Sequence, residues 1–381
     1  MIYFDNAATT LRKPQAVIDA IDAALTSFGG PGRGSHGPAI EASMALFRAR
    51  DAVSRLLNVT GGSSCVAFTL NATMALNIAI AALLPSGGRA VTTQASHNSV
   101  LRPLFRARDE RSCSVGIARI APDGALDEDS YVHELACGAD VVVATHASNV
   151  TGDVYGVARM ADLAHDAGAL FVLDAAQTAG AYPLDMDALG VDVVCFTGHK
   201  SLYGPQGTGG LAVREGLDVA PLLEGGSGVR SFDERQPRVM PESLEAGTAN
   251  AHGAAGLAAG VEYVLDKDPC ALAGAAGALA ERFEAGIAGV PRVRLYGGHA
   301  GAGRTGVVAF NVGDADSGEV AARLWQDFGI CVRPGAHCAP LMHKALGTES
   351  QGVVRASFSS FTTEEEIDEG IRAVRELAAD L

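Results

Sequence analysis

The stretch Phe196-Thr-Gly-His-Lys-Ser-Leu-Tyr-Gly-Pro-Gln-Gly-Thr-Gly-Gly210 decides how the rest of this 381-residue chain reads. It follows an apolar run, Val191 to Phe196, with the composition of a buried strand. Lys200 comes next, between His199 and Ser201, with Thr197 three residues before it. The window is crowded with glycine, so its backbone can turn tightly and approach a ligand. A lysine at the mouth of a buried strand is partly desolvated, which lowers its pKa and makes its amine a nucleophile. A Schiff base with an aldehyde cofactor needs such an amine. The plain alternative is a solvated lysine in a glycine-rich turn, and the neighbouring segments separate the two.

Working back from Lys200, Leu170 to Leu173 reads as a strand with Asp174 at its carboxyl end. Val157 to Ala167 reads as an amphipathic helix, with Gly168 in the position after its C-cap. Val141 to Thr145 is a continuous apolar strand with Ser148-Asn149 just beyond it, and Ala90 to Thr93 leads to Ser96-His97-Asn98-Ser99. Cys65 to Thr69 is a short strand, Asn71 an N-cap, and Ala72 to Leu84 a helix stopped by Pro85. Apolar strands alternating with helices predict an α/β fold with a mostly parallel sheet covered on both faces. Ligands of such sheets bind beyond the carboxyl ends of the strands, where His97, Asn149, Asp174 and Lys200 all fall. The helix start at Ala72-Thr73 carries free N–H groups and the positive dipole end, a seat for phosphate, or simply a capped helix.

The flanks read differently. Residues 1–14 form an extended arm ending at Pro14, and a helix runs from there to about Phe28. Gly29 to Pro38 is a loop that superficially resembles a dinucleotide fingerprint, but no strand precedes it. Its His36 is either a surface histidine or one that reaches a site. Ile40 to Leu57 is a long helix. From about residue 254 the composition turns to Ala/Gly/Glu-rich helices with strands near Val307 to Val312 and Val353 to Phe358. The expected division is a large α/β domain, 15–253, and a small C-terminal α+β domain, 254–381, with the 1–14 arm packed on the small one. The small domain carries the loop Arg333-Pro-Gly-Ala-His-Cys-Ala-Pro340.

A formal charge of −15 disfavours nucleic acid and anionic membrane as partners. No apolar stretch is long enough to span a bilayer and no signal peptide is apparent. Seven scattered cysteines without a CxxC pair argue for reduced thiols and a cytoplasmic location. The spacing of His337, Cys338 and His343 matches no standard zinc set, so no metal is expected. The remaining six cysteines read as core or surface residues without chemistry.

A nucleophilic lysine and a strand-end carboxylate fit pyridoxal 5′-phosphate, whose ring is an electron sink while its nitrogen is protonated. Asp174 would keep it so, Gln177 could bond the ring hydroxyl, His97 could stack on the ring, and the phosphate would lie at Ala72-Thr73. The stretches Tyr3-Phe-Asp-Asn-Ala-Ala8, Asn71-Ala-Thr73, Ser148-Asn-Val-Thr-Gly152, Leu173-Asp-Ala-Ala-Gln177, Thr197-Gly-His-Lys200, Glu245-Ala-Gly-Thr248 and Arg355-Ala-Ser-Phe-Ser359 occur in this order along nearly the whole chain. In these the chain resembles the fold-type I pyridoxal phosphate enzymes of aminotransferase class V, and within them the cysteine desulfurase and selenocysteine lyase group. The resemblance implies cofactor contacts from Thr197 and His199 as well. It implies a homodimer in which Thr248 reaches the partner subunit's phosphate, and substrate contacts from Arg355, Asn149 and His36. It implies L-cysteine as substrate, L-alanine as product and Cys338 as the sulfur-accepting nucleophile, its pKa open to lowering by His337 and Arg333. A sulfur-acceptor protein follows as an onward partner. Selenocysteine lyase, another class V transamination or epimerisation, and a catalytically silent scaffold that binds a sulfur carrier are the alternatives. The loop 225–241 does not match the group closely.

Overall fold

The computed structural model describes residues 1–298 and 303–381. The chain opens with a short strand, β1 (Ile2–Tyr3), and two helices, α1 (Gln15–Ser27) and α2 (Gly37–Leu56). Then β2 (Val66–Thr69), α3 (Ala72–Leu83), β3 (Arg89–Thr93), α4 (Asn98–Arg111), β4 (Ser114–Ala118), α5 (Glu128–Ala136) and β5 (Val141–Thr145) alternate. After β6 (Asp153–Val154) come α6 (Val157–Asp166), β7 (Leu170–Asp174), β8 (Val193–Thr197) and β9 (Gly209–Val213). These build a seven-stranded sheet in the order β2-β9-β8-β7-β5-β3-β4. The pairs from β8 to β4 are parallel, and β9 runs against both its neighbours.

Successive residues of a strand face opposite sides of a sheet, and both sides here are apolar. In β5, Val142 and Ala144 enter one core, while Val141 and Val143 enter the other. Helix α6 presents Val157, Met160, Ala161 and Ala164 inward at spacings of three and four. Both observations meet the expectation of a mostly parallel sheet covered on both faces.

The second lobe follows α7 (Ala251–Asp266) and α8 (Pro269–Ile287). It contains β10 (Val293–Tyr296), β11 (Gly303–Arg304), β12 (Val307–Val312), α9 (Ser317–Phe328), β13 (Ile330–Cys331), β14 (Arg333–Gly335), α10 (Pro340–Leu346), β15 (Val353–Ser357) and α11 (Glu364–Asp380). Its sheet, β10-β12-β15-β14, is antiparallel throughout and packs with α8, α9 and α11. The expected division at 253/254 does not follow the packing: α7 lies on α1 and α2, with Ala251 and Ala254 in one cluster with Ala42, Leu46 and Ala49. The Ala/Gly-rich composition of α7 suits close helix packing, and composition does not say against which lobe.

The N-terminal arm stitches the lobes together. β1 pairs with β13, and Phe4 lies fully buried edge-on to Phe358 and Phe283, at centroid distances of 4.9 and 6.0 Å. A few residues on, the Thr10 amide donates to the His199 carbonyl at 3.1 Å. The arm therefore packs on the small lobe and also braces the residue beside Lys200.

Candidate active site

Strands β5, β7 and β8 are adjacent and parallel, so Thr145, Asp174 and Thr197 reach one rim at their carboxyl ends. Three residues past β8 stands Lys200. The glycines of this turn serve close packing more than unusual backbone angles: of those in the window only Gly207 has positive φ (76°). A Cβ on Gly198 would collide with the Thr208 side chain, and one on Gly210 with the Ala67 carbonyl of β2.

A cavity of about 240 Å³ opens at this rim. Ala72, Thr73, His97, Asn149, Asp174, Gln177, Thr197, His199 and Lys200, nine of the expected site residues, line it together. Burial pushes the Lys200 amine down to about 8; Arg355 adds to the effect and Asp174 opposes it. Burial pushes the Asp174 carboxyl up, against the Ala176 N–H that it accepts at 3.0 Å and the charge of Lys200. His97 is held down to about 4 by burial, then by Lys200 and Arg333, so its ring is neutral at physiological pH. Its Nδ1 accepts from the Ser99 amide at 3.0 Å, which caps α4. His199 is likewise lowered to about 4, by burial and then by Lys200 and Lys13. Gln177 donates through Nε2 to the Ala7 carbonyl at 3.2 Å, a second tie to the arm.

The cavity is lined by polar atoms that the protein itself leaves unpaired. Thr145 Oγ1, Asn149 Oδ1, Thr197 Oγ1 and His199 Nδ1 are buried without a hydrogen-bond partner, an arrangement costly unless a ligand satisfies it. Asn71 caps α3 by accepting the Met74 amide at 3.0 Å, which leaves the N–H groups of Ala72 and Thr73 without intrahelical partners. An amine near neutrality, a buried carboxylate, a flat neutral imidazole and a helix N-terminus with a threonine suit a planar aldehyde that bears a phosphate. Pyridoxal phosphate fits this set.

Cys338 comes from the other lobe and is exposed. His337 and Cys338 both have positive φ, 50° and 55°, at a cost of order 1–3 kcal/mol each for residues other than glycine. The large lobe holds them there. The Asn98 amide donates to the Cys338 carbonyl at 2.7 Å, and Asn149 Nδ2 to the His337 carbonyl at 2.7 Å. His337 is buried and held down to about 3 by that burial, then by Arg355. It is therefore neutral, with Nε2 facing the Arg333 carbonyl at 3.1 Å. The expected His337 cation beside the thiol is therefore absent, and Arg333 remains as the charged residue of that pair. The His337 and His343 rings stack with centroids 6.2 Å apart, and no cluster able to hold a metal ion occurs among the described residues.

Arg355 is 2% exposed, and its fork is divided. One terminal nitrogen donates to the Asn149 carbonyl at 2.9 Å and the other pairs with Asp5 at 3.0 Å. His36 is exposed just before α2, outside the cavity, so one chain does not bring it to the expected substrate position. Loop sequence alone carries no direction, so it did not say which cavity His36 would face. Thr248 lines a separate cavity with Leu46, Phe68 and Leu70. Sequence reasoning passed over Thr145 and Ser99, which line the main cavity; the strand-end rule that found Asp174 would have found Thr145. It also passed over Asp5, Thr10 and Lys13, which reach the site only by long-range contacts. Lys13 donates to Thr10 at 2.5 Å and to the His199 carbonyl at 3.2 Å, and burial lowers its pKa to about 8.

Comparison with known proteins agrees with this fold. The family model Aminotransferase class-V matches residues 2–369. A protein of Cereibacter sphaeroides described as a cysteine desulfurase is 34% identical over 96% of this chain and 93% of its own length. A probable cysteine desulfurase of Methanothermobacter thermautotrophicus is 32% identical over 96% of this chain and 92% of its own. The apo structure of a cysteine desulfurase from Thermococcus onnurineus NA1 superposes with a TM-score of 0.93 at 33% identity, covering 100% of this chain and 95% of that one.

Proposed function

The chain belongs to the class-V aminotransferase family, and we propose that it is a cysteine desulfurase working with pyridoxal 5′-phosphate on L-cysteine. The observation that carries this reading is a pair of nucleophiles around one rim: Lys200 lines the cavity, and the exposed thiol Cys338, brought from the other lobe, lines an adjoining groove that shares Thr73, His97 and Ser99 with it. When bound, pyridoxal phosphate supplies an electron-withdrawing ring that stabilises negative charge at the substrate's α-carbon.

The chain's own residues do the rest. Lys200, with a pKa near 8, is partly unprotonated at neutral pH, so it can anchor the cofactor's aldehyde and move the substrate's α-proton. Asp174, on the strand beside β8, would hold a proton on the ring nitrogen, and the cation so formed would offset the burial that disfavours the carboxylate's charge. His97 would cover the ring, and Gln177 and Thr197 would offer polar groups to it. The start of α3 with Ala72 and Thr73, together with His199, would hold the phosphate. Arg355 and Asn149 receive the substrate carboxylate, with Asp5 keeping the guanidinium oriented. The Cys338 thiolate attacks the substrate's sulfur: a new S–S bond forms, the C–S bond breaks with its electron pair left on the carbon side, and protonation there gives alanine. Cys338 keeps the sulfur as a persulfide.

The exposed apolar side chains Ile18, Leu25, Ile40, Met44, Phe47 and Leu70 on and beside α1–α3 support a homodimer. In it Thr248 and His36, remote from their own cavity, serve the partner's. Seven free cysteines support a reducing, cytoplasmic location, and no helix among the described residues is long and apolar enough to cross a membrane. After incubation with L-cysteine, the expected result is free alanine plus one added sulfur on the Cys338 peptide by mass spectrometry. Alanine without sulfur on that peptide removes Cys338 from the reaction.

A further inference from the structure

Beside the main cavity lies a second groove of about 290 Å³, lined by Thr73, Asn77, His97, Arg102, Arg106 and Cys338 among others. It shares Thr73, His97 and Ser99 with the main cavity, so the groove that Cys338 lines adjoins that cavity. One wall is α4. Arg102 and Arg106 are exposed and one turn apart, on one face of that helix.

These two arginines differ from the others on α4. Arg108 pairs with Asp109, and Arg111 donates to the Ala81 and Leu84 carbonyls. Arg102 has no hydrogen bond or ion pair among the described residues, and Arg106 has only a 3.4 Å contact to Asn77 Oδ1. Like charges one turn apart repel, and Arg102 stands near the positive end of the helix dipole. No Asp or Glu lines the groove. The result is an uncompensated positive notch against an exposed thiol, in a chain whose formal charge is −15.

We propose that this groove is the acceptor site for the sulfur: a small thiol bearing a carboxylate seats that group on Arg102 and Arg106 and discharges Cys338. The proposal rests on the reading of Cys338 as the sulfur carrier. The volume suits a small molecule, and a guanidinium matches a carboxylate with two parallel hydrogen bonds. The acceptor's thiolate attacks the outer sulfur of the Cys338 persulfide. The bond between the two persulfide sulfurs breaks, a bond from the acceptor to the outer sulfur forms, and Cys338 leaves as a thiolate. No oxidant or reductant is consumed.

The test uses holoenzyme charged with L-cysteine and then freed of excess cysteine. Discharge of the Cys338 peptide is followed by mass with 3-mercaptopropionate or with the neutral 3-mercaptopropionamide. Each rate is normalised to the same thiol's attack on a small-molecule disulfide. The wild type is expected to favour the carboxylate by about tenfold, and added salt to erode the preference. The Arg102→Gln/Arg106→Gln variant should charge normally and discharge to the amide normally, with the preference gone. Equal normalised rates in the wild type overturn the proposal, as does a preference that survives in the variant or a wild type discharged only by a protein acceptor. Failure of Cys338 to charge at all overturns the desulfurase reading and this proposal together, and it is seen before any acceptor is added.

Discussion

The Lys200 rim and the Cys338 loop, proposed to serve one reaction, are built on opposite terms. Lys200 follows a fully buried strand, and its loop is tied by Thr9, Thr10 and Lys13 to the His199 carbonyl. Cys338 sits in a strained turn on the surface of the other lobe, held by single hydrogen bonds from Asn98 and Asn149. Burial gives the amine a pKa near 8, and a nucleophile that must wait unprotonated benefits from dryness. A thiol proposed to take sulfur from a bound substrate and then surrender it benefits from access. The comparison teaches that desolvation and exposure divide the two halves of the chemistry between the lobes.

The comparison breaks first at Lys200. Lys200→Ala is expected to lower alanine formation from cysteine by roughly 10³-fold or more, since it removes the base as well as the anchor. A steady-state assay that finds robust turnover would mean that the buried amine is not the working group. A smaller and more selective effect is expected on the exposed side. Cys338→Ser should lower sulfur release from cysteine by about 10²-fold while keeping the bound cofactor's visible absorbance, because nothing on the Lys200 rim depends on the thiol. Wild-type desulfuration by that variant would merge the two regions into one.

The smallest effect concerns acid. Burial holds His97, His146 and His199 at about 4 and His337 at about 3, below the ordinary 6.5. The unfolded chain takes up these protons below 6.5 and the folded chain does not. The stability that the neutral rings allow is thus complete above pH 6.5 and lost as pH falls towards 3–4. Each such histidine contributes a slope of up to about 1.4 kcal/mol per pH unit. Denaturant unfolding at pH 7 and pH 5 should show the loss, and His337→Gln should reduce it. A slope that His337→Gln leaves unchanged would place that ring in water, on the side of Cys338.

Most of the rim was legible because its signals are local. The continuous apolar run at Val141 placed β5 at both of its ends, and Asn71 marked the start of α3 within the chain. The strand-end rule then put His97, Asn149, Asp174 and Lys200 together before any contact was visible. The charge state of His337 was not legible, because neighbours in sequence suggested a cation and burial by other elements removed it. The place of α7 was hidden for a related reason: its Ala/Gly face says that something packs closely there, not what does.

Sequence by itself determined the layered α/β architecture and the family, and it pointed to the two residues proposed as nucleophiles, because periodicity, caps and motifs are written within a few residues of each other. Only the tertiary structure decided the electrostatics. Asp5 meets Arg355 and Asn149 holds the Cys338 loop across separations of 350 and 188 residues. Burial, which sets the pKa of Lys200 and the neutrality of His337, is a property of the packed surroundings and of no segment alone.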